Sequence, residues 1–210
     1  MTTRTPAVAP PSRPAVRRAE PEDVERVGWL VARALVDDPV ARWVVPVGLH
    51  RRELWPRYLE HIVADALHAG TVLVAGTFDG VAVWVDGPGG RQSLLHPQAL
   101  PYEVVGPYAD RFGALEDEVR AEQPAARPHH RLAVLAVRDA ARGQGLGGAL
   151  LDAQHAVLDG RGLGAYVAPS TPAGARFLER SGYHRLAPPV RPQADAPPLW
   201  PMWRPAGAPR

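Results

Sequence analysis

The spacing of apolar residues predicts a chain that alternates between helices and strands. Val24, Val27 and Val31 recur at helical spacing ahead of Asp37, whereas short Val-rich and Leu-rich runs between turn residues favour strands. The predicted strands cover residues 15–19, 71–77, 81–85, 132–137, 165–168, 183–187 and 199–203, and the predicted helices end near residues 37, 70, 124, 160 and 180. The predicted order is therefore strand, helix, helix, strand, strand, helix, strand, helix, strand, helix, strand, strand.

Two connections in this order carry specific signals. Phe78-Asp79-Gly80 separates the second and third predicted strands, and an Asp-Gly pair between apolar runs favours a β-hairpin. The stretch from Gly87 to Gly106 has no clear period, and connections of that length are usually functional or mobile. We therefore expect it to be irregular, with Pro107 opening the next helix.

Length and composition favour one soluble globular domain. The chain has 210 residues, 46% of them hydrophobic, and a formal net charge of +2, so a sizeable core is expected and a nucleic-acid partner is not. Cys is absent, which excludes disulfides, thiolate metal ligands and a Cys nucleophile. The proline-rich residues 1–14 are predicted to be disordered and residues 205–210 flexible, which leaves 15–204 as the single domain. Since there is neither a signal peptide nor a long apolar run, we expect a cytoplasmic protein without membrane contact.

The most informative stretch runs from Arg131 to Gly148, RLAVLAVRDAARGQGLGG. Its continuous apolar run, Leu132 to Val137, predicts a central strand that is buried on both faces. A short Arg-bearing turn follows, and then a glycine-rich helix start, which presents backbone N–H groups to an anion. The helix after the glycines is predicted to bury Leu146, Ala149, Leu150, Ala153 and Val157.

Two common phosphate-binding motifs do not fit this turn. Gly143 to Gly148 satisfies G-x-G-x-x-G, but the dinucleotide fingerprint also needs an acidic residue at the end of the next strand. That strand ends in Tyr166-Val167-Ala168-Pro169, without a carboxylate. A P-loop is excluded because its Lys is missing.

The segment Arg142 to Gly147, RGQGLG, resembles the R/Q-x-x-G-x-G/A motif of the GCN5-related N-acetyltransferases. The resemblance includes the LAVLAV strand, the AYVAPSTPAGARFLERSGY segment and the order of elements, and it covers about Ala15 to Trp203. Within the family the chain is most similar to puromycin N-acetyltransferase-like members, at VRRAEPEDVERV, GVAVW and FLERSGY. The implied fold is α/β (α+β), with a central mixed, mostly antiparallel sheet of six to seven strands that is flanked by helices and splayed between strands four and five.

The resemblance implies direct transfer of the acetyl group of acetyl-CoA to an amine of a small molecule, such as an antibiotic or another metabolite. It implies acetyl-CoA as co-substrate, no metal, no covalent enzyme intermediate, and a monomer or homodimer. The implied coenzyme A-binding residues are Leu135, Ala136 and Val137 on the strand, Arg142, Gly143, Gln144, Gly145, Leu146, Gly147 and Gly148 at the turn, and Arg176 and Phe177 on a later helix. Glycines let the backbone approach a pyrophosphate, and Arg142 adds a cation.

The catalytic groups are less clear, because relatives often carry a Tyr where this chain has Leu178. The candidates are His130 before the central strand, Asp86 after the third strand and Ser170 after the fifth, since a His near its usual pKa can accept a proton from an ammonium. His129, Asp37 and Asp38 are further candidates, with solvation, turn and cap roles as the structural alternatives. Trp43 and Trp55 are candidates for walls of the acceptor cleft.

Two other functions remain open at this point. The acceptor could be an amine of a protein or peptide, since the sequence does not identify it. The chain could also be a non-catalytic acyl-CoA-binding sensor, an alternative that the absent Tyr motivates.

Overall fold

The structure is a computed structural model that describes residues 14–87, 100 and 102–208. The strands are β1 (Val16–Arg18), β2 (Thr71–Ala75), β3 (Gly80–Asp86), β4 (His129–Val137), β5 (Gly164–Val167), β6 (His184–Arg185) and β7 (Met202–Arg204). The helices are α1 (Val24–Leu35), α2 (Pro39–Val44), α3 (Gly48–Ala69), α4 (Tyr102–Val105), α5 (Ala109–Ala121), α6 (Leu146–Gly160) and α7 (Pro172–Glu179). Single 3₁₀ turns precede α1, α5 and α6.

The strands form one seven-stranded sheet in the order β1-β2-β3-β4-β5-β7-β6. Neighbouring strands are antiparallel except for β4 and β5, which are parallel. This confirms the predicted mixed, mostly antiparallel sheet. The longest strand, β4, lies at its centre, as the continuous apolar run predicted.

Helices cover both faces of this sheet. On one side, called here the α3 face, helices α1, α3 and α5 contribute Val27, Leu59 and Phe112 to a large buried cluster. On the other, the α6 face, helices α6 and α7 contribute Leu150 and Leu178 to a second cluster. The sheet is therefore the middle layer of three, and each face has its own core.

The hairpin between β2 and β3 closes with a different turn from the predicted one. Gly80 is already a strand residue and pairs with Ala75, so the loop is longer than an Asp-Gly pair. Gly76 and Phe78 have positive φ, 61° and 65°, and the Asp79 N–H donates to the Ala75 carbonyl at 2.9 Å. The hairpin itself was predicted, but its loop type was not.

Helices α2 and α6 differ from the sequence prediction. The short α2 was not predicted, because its six residues are too few for a periodic pattern. It begins at Pro39, and the Asp38 carboxylate caps it by accepting a hydrogen bond from the Val40 N–H at 2.8 Å. In α6, Val157 was predicted to be buried but is 50% exposed, whereas His155 is buried.

The predicted disordered and irregular segments are described only in part. Residues 1–13, 88–99 and 101 lie outside the described residues, and α4 forms within the stretch predicted to be irregular. At the other end, the Gly207 N–H and the Arg204 guanidinium both donate to Asp159. The turn at 205–208 is therefore bonded to α6, while residues 209–210 of the tail that was predicted to be flexible lie outside the described residues. Within the described segments, no helix is long and apolar enough to cross a membrane.

His155 is expected to make the stability of the domain depend on pH. It forms a buried hydrogen bond with the Tyr183 hydroxyl at 3.0 Å, and burial lowers its pKa to about 4. In the unfolded chain the pKa of this histidine is about 6.5. The contribution of neutral, buried His155 to stability is therefore fully present above pH 6.5 and is lost as the pH falls towards 4. We expect His155 to lower the free energy of unfolding by about 3 kcal/mol over this interval.

Urea denaturation at pH 7 and at pH 4.5 measures this loss directly. The His155→Gln variant keeps a hydrogen-bond donor for Tyr183 but does not titrate, so its stability should fall less between the two pH values. An equal fall in the variant and the wild type would contradict the role of His155.

Candidate active site

Strands β4 and β5 separate part-way along their length. Their ladder joins His129, His130 and Arg131 to residues 164–166, while β4 itself continues to Val137. The part of β4 after Arg131 therefore lies beside a gap between the two strands, and its backbone edge faces that gap. This confirms the predicted splay between the fourth and fifth strands.

A β-bulge in β4 lies at the start of this gap. On the β3 side, Val134 pairs with Val83 and Leu132 pairs with Trp84, so Ala133 is the extra residue. Leu132 consequently packs in the α6-face cluster, whereas Val134 packs in the α3-face cluster. In an unbroken strand these two residues would share a face. The bulge therefore changes which side chains of β4 face each layer.

A cavity of about 330 Å³ occupies the gap and extends between the helices of the α3 face. Its walls come from β4, the segment after β5, α7, α3, α5 and the junction of α1 with α2. Most of the lining side chains are apolar, among them Trp55, Leu59 and Ile62 on successive turns of α3. The polar side chains of the lining are those of Asp38, Tyr58, Glu116, Arg131, Ser170 and Thr171.

Asp38 and Ser170 form the first polar group of the cavity. The Ser170 hydroxyl donates to the Asp38 carboxylate, with Oγ 2.8 Å from Oδ2 and 3.0 Å from Oδ1. Burial raises the pKa of Asp38, and its hydrogen bonds from the Val40 N–H and from Ser170 oppose this effect. Both donors are neutral, so a cation in the cavity would be attracted to this carboxylate.

Tyr58, Glu116 and Arg131 form the second polar group. The Tyr58 hydroxyl donates to Glu116 Oε1 at 2.9 Å, and Arg131 Nη1 lies 3.1 Å from Glu116 Oε2. The side chains of Arg131 and Glu116 are only 11% and 9% exposed, and burial raises the pKa of Tyr58 well above its usual value. This is a charge pair that lies inside the protein, at the wall of the cavity.

The turn between β4 and α6 presents backbone N–H groups at the start of a long helix. Gly143 and Gly145 have positive φ, 78° and 79°, and Gly145 is the N-cap residue of α6, which has no side-chain cap. The first N–H groups of a helix lack partners within it, so together with the helix dipole they can hold an anion, and this turn is called here the anion site. Arg142, which is exposed and pairs with Asp139 at 2.8 Å, adds a cation beside them.

The glycines of this turn fit a ligand that approaches from outside the chain. A Cβ at Gly143, Gly145 or Gly148 would meet no atom within 4 Å, so packing does not require glycine there. Positive φ accounts for the first two positions. Gly148 has no such reason, and a helical glycine costs about 1 kcal/mol relative to Ala. A ligand close to the backbone, as a pyrophosphate would be, provides a reason.

Phe177 connects this anion site with the cavity. A Cβ on Gly147 would lie 3.2 Å from Cζ of the Phe177 ring, and the Phe177 side chain also lines the cavity. The two sites therefore adjoin, so that a single elongated ligand can reach from one to the other.

Of the three predicted catalytic residues, Ser170 lines the cavity and the other two lie elsewhere. Asp86 and His130 pair across β3 and β4, with His130 Nε2 3.6 Å from Asp86 Oδ1. They lie on the α6 face, because Arg131, the next residue of β4, pairs with Val85, which packs in the α3-face cluster. Burial lowers the pKa of His130, and Asp86 opposes this effect. The structure does not bring this pair to the cavity.

His129 and Trp43, two further candidates, have structural partners. His129 Nδ1 lies 2.6 Å from the Arg127 carbonyl oxygen and its Nε2 lies 3.2 Å from the Gln123 side-chain oxygen. The Trp43 indole donates to Asp195 at 3.0 Å. Trp55, by contrast, lines the cavity, as do Leu178 and Thr171. The apolar Leu178 therefore contributes a wall and no hydroxyl.

The residues predicted to bind coenzyme A do not all lie together. Leu135 and Phe177 line the cavity, and the turn residues 142–148 form the anion site, where the Gln144 side chain donates to the Ala140 carbonyl at 3.3 Å. Ala136 packs in the core of the α3 face, and Val137 pairs with Gly80. Arg176 is exposed on α7.

Sequence reasoning missed the group formed by Tyr58, Glu116 and Arg131. One signal was available, because Glu116 follows Leu115 on the predicted apolar side of its helix, one turn after Phe112. A carboxylate at such a position needs a buried partner. Nothing in the pattern identified Arg131, which precedes the apolar run, as that partner.

Comparison with known proteins places this architecture. No family model matches the chain. A Corynebacterium glutamicum structure described as histone acetyltransferase HPA2 and related acetyltransferase is 23% identical, with a TM-score of 0.64, and the match covers 94% of this chain and 98% of that one. Drosophila melanogaster polyamine N-acetyltransferase is 17% identical, with a TM-score of 0.65 and coverage of 91% and 99%. A mosquito arylalkylamine N-acetyltransferase-like protein is also 17% identical, with a TM-score of 0.64 and coverage of 91% and 99%.

The chain has the fold of the GCN5-related N-acetyltransferases. The N-acetyltransferase fold extends over nearly the whole of this chain and of each relative, so it accounts for the splayed sheet and both helical layers. At identities between 17% and 23% the likeness concerns architecture.

Proposed function

We propose that this protein is an N-acetyltransferase that transfers the acetyl group of acetyl-CoA directly to an amine of a small molecule. The observation that carries the proposal is the junction at Phe177, where the anion site of the glycine turn adjoins a cavity that follows the edge of β4. A phosphate-bearing ligand with a long arm fits this combination. The fold shared with known N-acetyltransferases supports the same reaction.

Bound acetyl-CoA would supply an activated acetyl group as a thioester. In this proposal the N–H groups at the start of α6 and Arg142 hold the pyrophosphate, by charge-assisted hydrogen bonds. The edge of β4 beside the bulge aligns the arm and presents an N–H to the oxygen that gains negative charge during transfer. One well-placed donor of this kind contributes about 3 kcal/mol to transition-state stabilisation.

Asp38 and Ser170 are proposed to bind the acceptor amine and to take its proton. The carboxylate attracts the ammonium form of the amine, and the Ser170 hydroxyl orients the carboxylate. Loss of one proton to Asp38 leaves a neutral amine, whose lone pair forms the new N–C bond as the C–S bond breaks. The nitrogen then loses a second proton, which goes to the departing thiolate and gives the free thiol. Ser170 thus keeps the catalytic place predicted for it, whereas Asp38 replaces Asp86 and His130 as the proposed proton acceptor.

The finer classification follows from the sequence resemblance alone. The likeness to puromycin N-acetyltransferase-like members stays a prediction, and no antibiotic is assigned as the acceptor. The apolar lining of the cavity and the Asp38 carboxylate, whose hydrogen-bond donors Ser170 and Val40 are neutral, support an amine with an apolar body.

The test combines binding with turnover. Acetyl-CoA should raise the melting temperature, and free thiol should appear when acetyl-CoA is mixed with a panel of small amines. Thiol release only with peptides or proteins would replace the small-molecule acceptor by a macromolecular one. A raised melting temperature without thiol release from any amine would replace the enzyme by an acyl-CoA-binding sensor. No change in melting temperature would overturn the proposal as a whole.

A further inference from the structure

We propose that Arg131 determines specificity by donating a hydrogen bond to a neutral oxygen on the body of the acceptor amine. The inference rests on the proposed function, because it concerns the amine that is acetylated. It adds a second point of recognition to Asp38, and it assigns a role to a buried charge pair that acetyl transfer itself does not use.

Arg131 lies at the point where β4 and β5 separate. It is the last residue of β4 that pairs with β5, just before the bulge, and its side chain lines the cavity. Asp38, at the start of α2, lines the same cavity. An acceptor whose ammonium lies at Asp38 therefore occupies a space that Arg131 also borders.

Glu116 and Tyr58 hold the Arg131 side chain in place. Glu116 lies 3.1 Å from its Nη1, and the Tyr58 hydroxyl holds the other oxygen of Glu116 at 2.9 Å. A guanidinium has five N–H donors in a fixed plane, and Nη1 is the nitrogen nearest to Glu116. Because Arg131 lines the cavity, we infer that a donor of its guanidinium can reach a ligand that fills this space.

The charges of Arg131 and Glu116 disfavour a second charged group on the acceptor. Glu116 offsets the charge of Arg131, so a second carboxylate beside the pair would meet Glu116 as a like charge. A second cation would meet the guanidinium instead. A neutral oxygen meets neither repulsion and satisfies a donor that an apolar ligand would leave without a partner. The acceptor class is therefore a monoamine with an apolar body and a carbonyl, amide or similar neutral oxygen.

Three amines with one common body test this inference. They are 4-(2-aminoethyl)benzamide, 4-methylphenethylamine and 4-(2-aminoethyl)benzoic acid, which carry a neutral amide, a methyl group and a carboxylate at the same position. For wild-type protein we expect kcat/KM with the amide to exceed that with the methyl compound by about tenfold, the effect of one buried hydrogen bond. We expect the carboxylate to be the poorest substrate of the three.

The variant is the double substitution Arg131→Met and Glu116→Gln, which removes both charges and leaves no unpaired buried ion. It should reduce the ratio of kcat/KM for the amide to kcat/KM for the methyl compound to about one. If the pair had a purely structural role, the double variant would instead lower kcat/KM for all three amines by a similar factor. Arg120→Met is the matched control, because Arg120 lies on α5 with Glu116 but in an exposed pair with Asp117, and the ratio of amide to methyl substrate in this variant should stay at the wild-type value.

The possible results separate this inference from the proposed function. Turnover of the amines by wild type without preference for the amide, or with preference for the carboxylate, overturns the inference and leaves N-acetylation standing. An unchanged preference in the double variant also overturns it. If acetyl-CoA gives thiol release with no amine at all, the proposed function falls, and the inference falls with it.

Discussion

The Asp38→Asn variant is expected to have a kcat/KM for amine acetylation about 10² to 10⁴ times lower than wild type, which is the usual effect of losing a general base. Asn keeps the shape of the side chain and can still cap α2 by accepting the Val40 N–H. It can neither take a proton nor attract an ammonium. Steady-state thiol release measures the loss, and acetyl-CoA affinity and melting temperature should stay at their wild-type values.

Two comparisons make this test specific. Asp37→Asn changes the neighbouring carboxylate, which is exposed and pairs with Arg42, and it should leave kcat/KM unchanged. In wild type, kcat/KM should fall as the pH drops through the pKa of Asp38. Burial raises that pKa above the usual Asp value of about 3.9, so the fall should begin at a higher pH than for an exposed Asp. Activity of the Asn variant near the wild-type level would remove Asp38 from the mechanism.

The Arg142→Glu variant is expected to bind acetyl-CoA about 100-fold more weakly than wild type. The substitution replaces a charge-assisted hydrogen bond by an anion beside the pyrophosphate, next to Asp139, which already pairs with Arg142. Isothermal titration calorimetry with acetyl-CoA measures the change. Arg142 is mostly exposed, so the fold should tolerate the substitution.

Arg161→Glu is the matched control for this experiment. Arg161 is exposed at the opposite end of α6, so the same reversal of charge is made on the same helix, far from its N-terminus. Its acetyl-CoA affinity should match that of wild type. If the two variants bind equally well, the turn does not hold the pyrophosphate.

The sequence predicted the sheet well because its strands follow from local patterns, and the proposed donor site rests on a local pattern of the same kind. Continuous apolarity identified β4 as the central strand, and four closely spaced glycines after Arg142 predicted an anion site at the start of α6, which stays a prediction. In each case the signal comes from residues that are adjacent in the chain. Elements as short as α2 left too little pattern to detect.

The acceptor side could not be predicted in the same way, because it forms from distant segments. Ser170 and Asp38 meet across 132 positions of the chain, and Glu116 meets Tyr58 across 58. The side of the sheet on which His130 and Arg131 lie depends on the strand register, which the sequence pattern does not fix. His130 therefore looked as suitable as Ser170 until the register placed it on the α6 face.

The most direct test of the central claim uses acetyl-CoA labelled with ¹³C at the acetyl carbonyl. Wild-type protein is mixed with the labelled donor and 4-(2-aminoethyl)benzamide, and small molecules and protein are analysed by mass spectrometry. The account predicts that the label appears on the amine nitrogen, with one free thiol for each acetyl group and no label on the protein. Label retained on a protein side chain, or label released only as acetate, would contradict direct transfer to an amine.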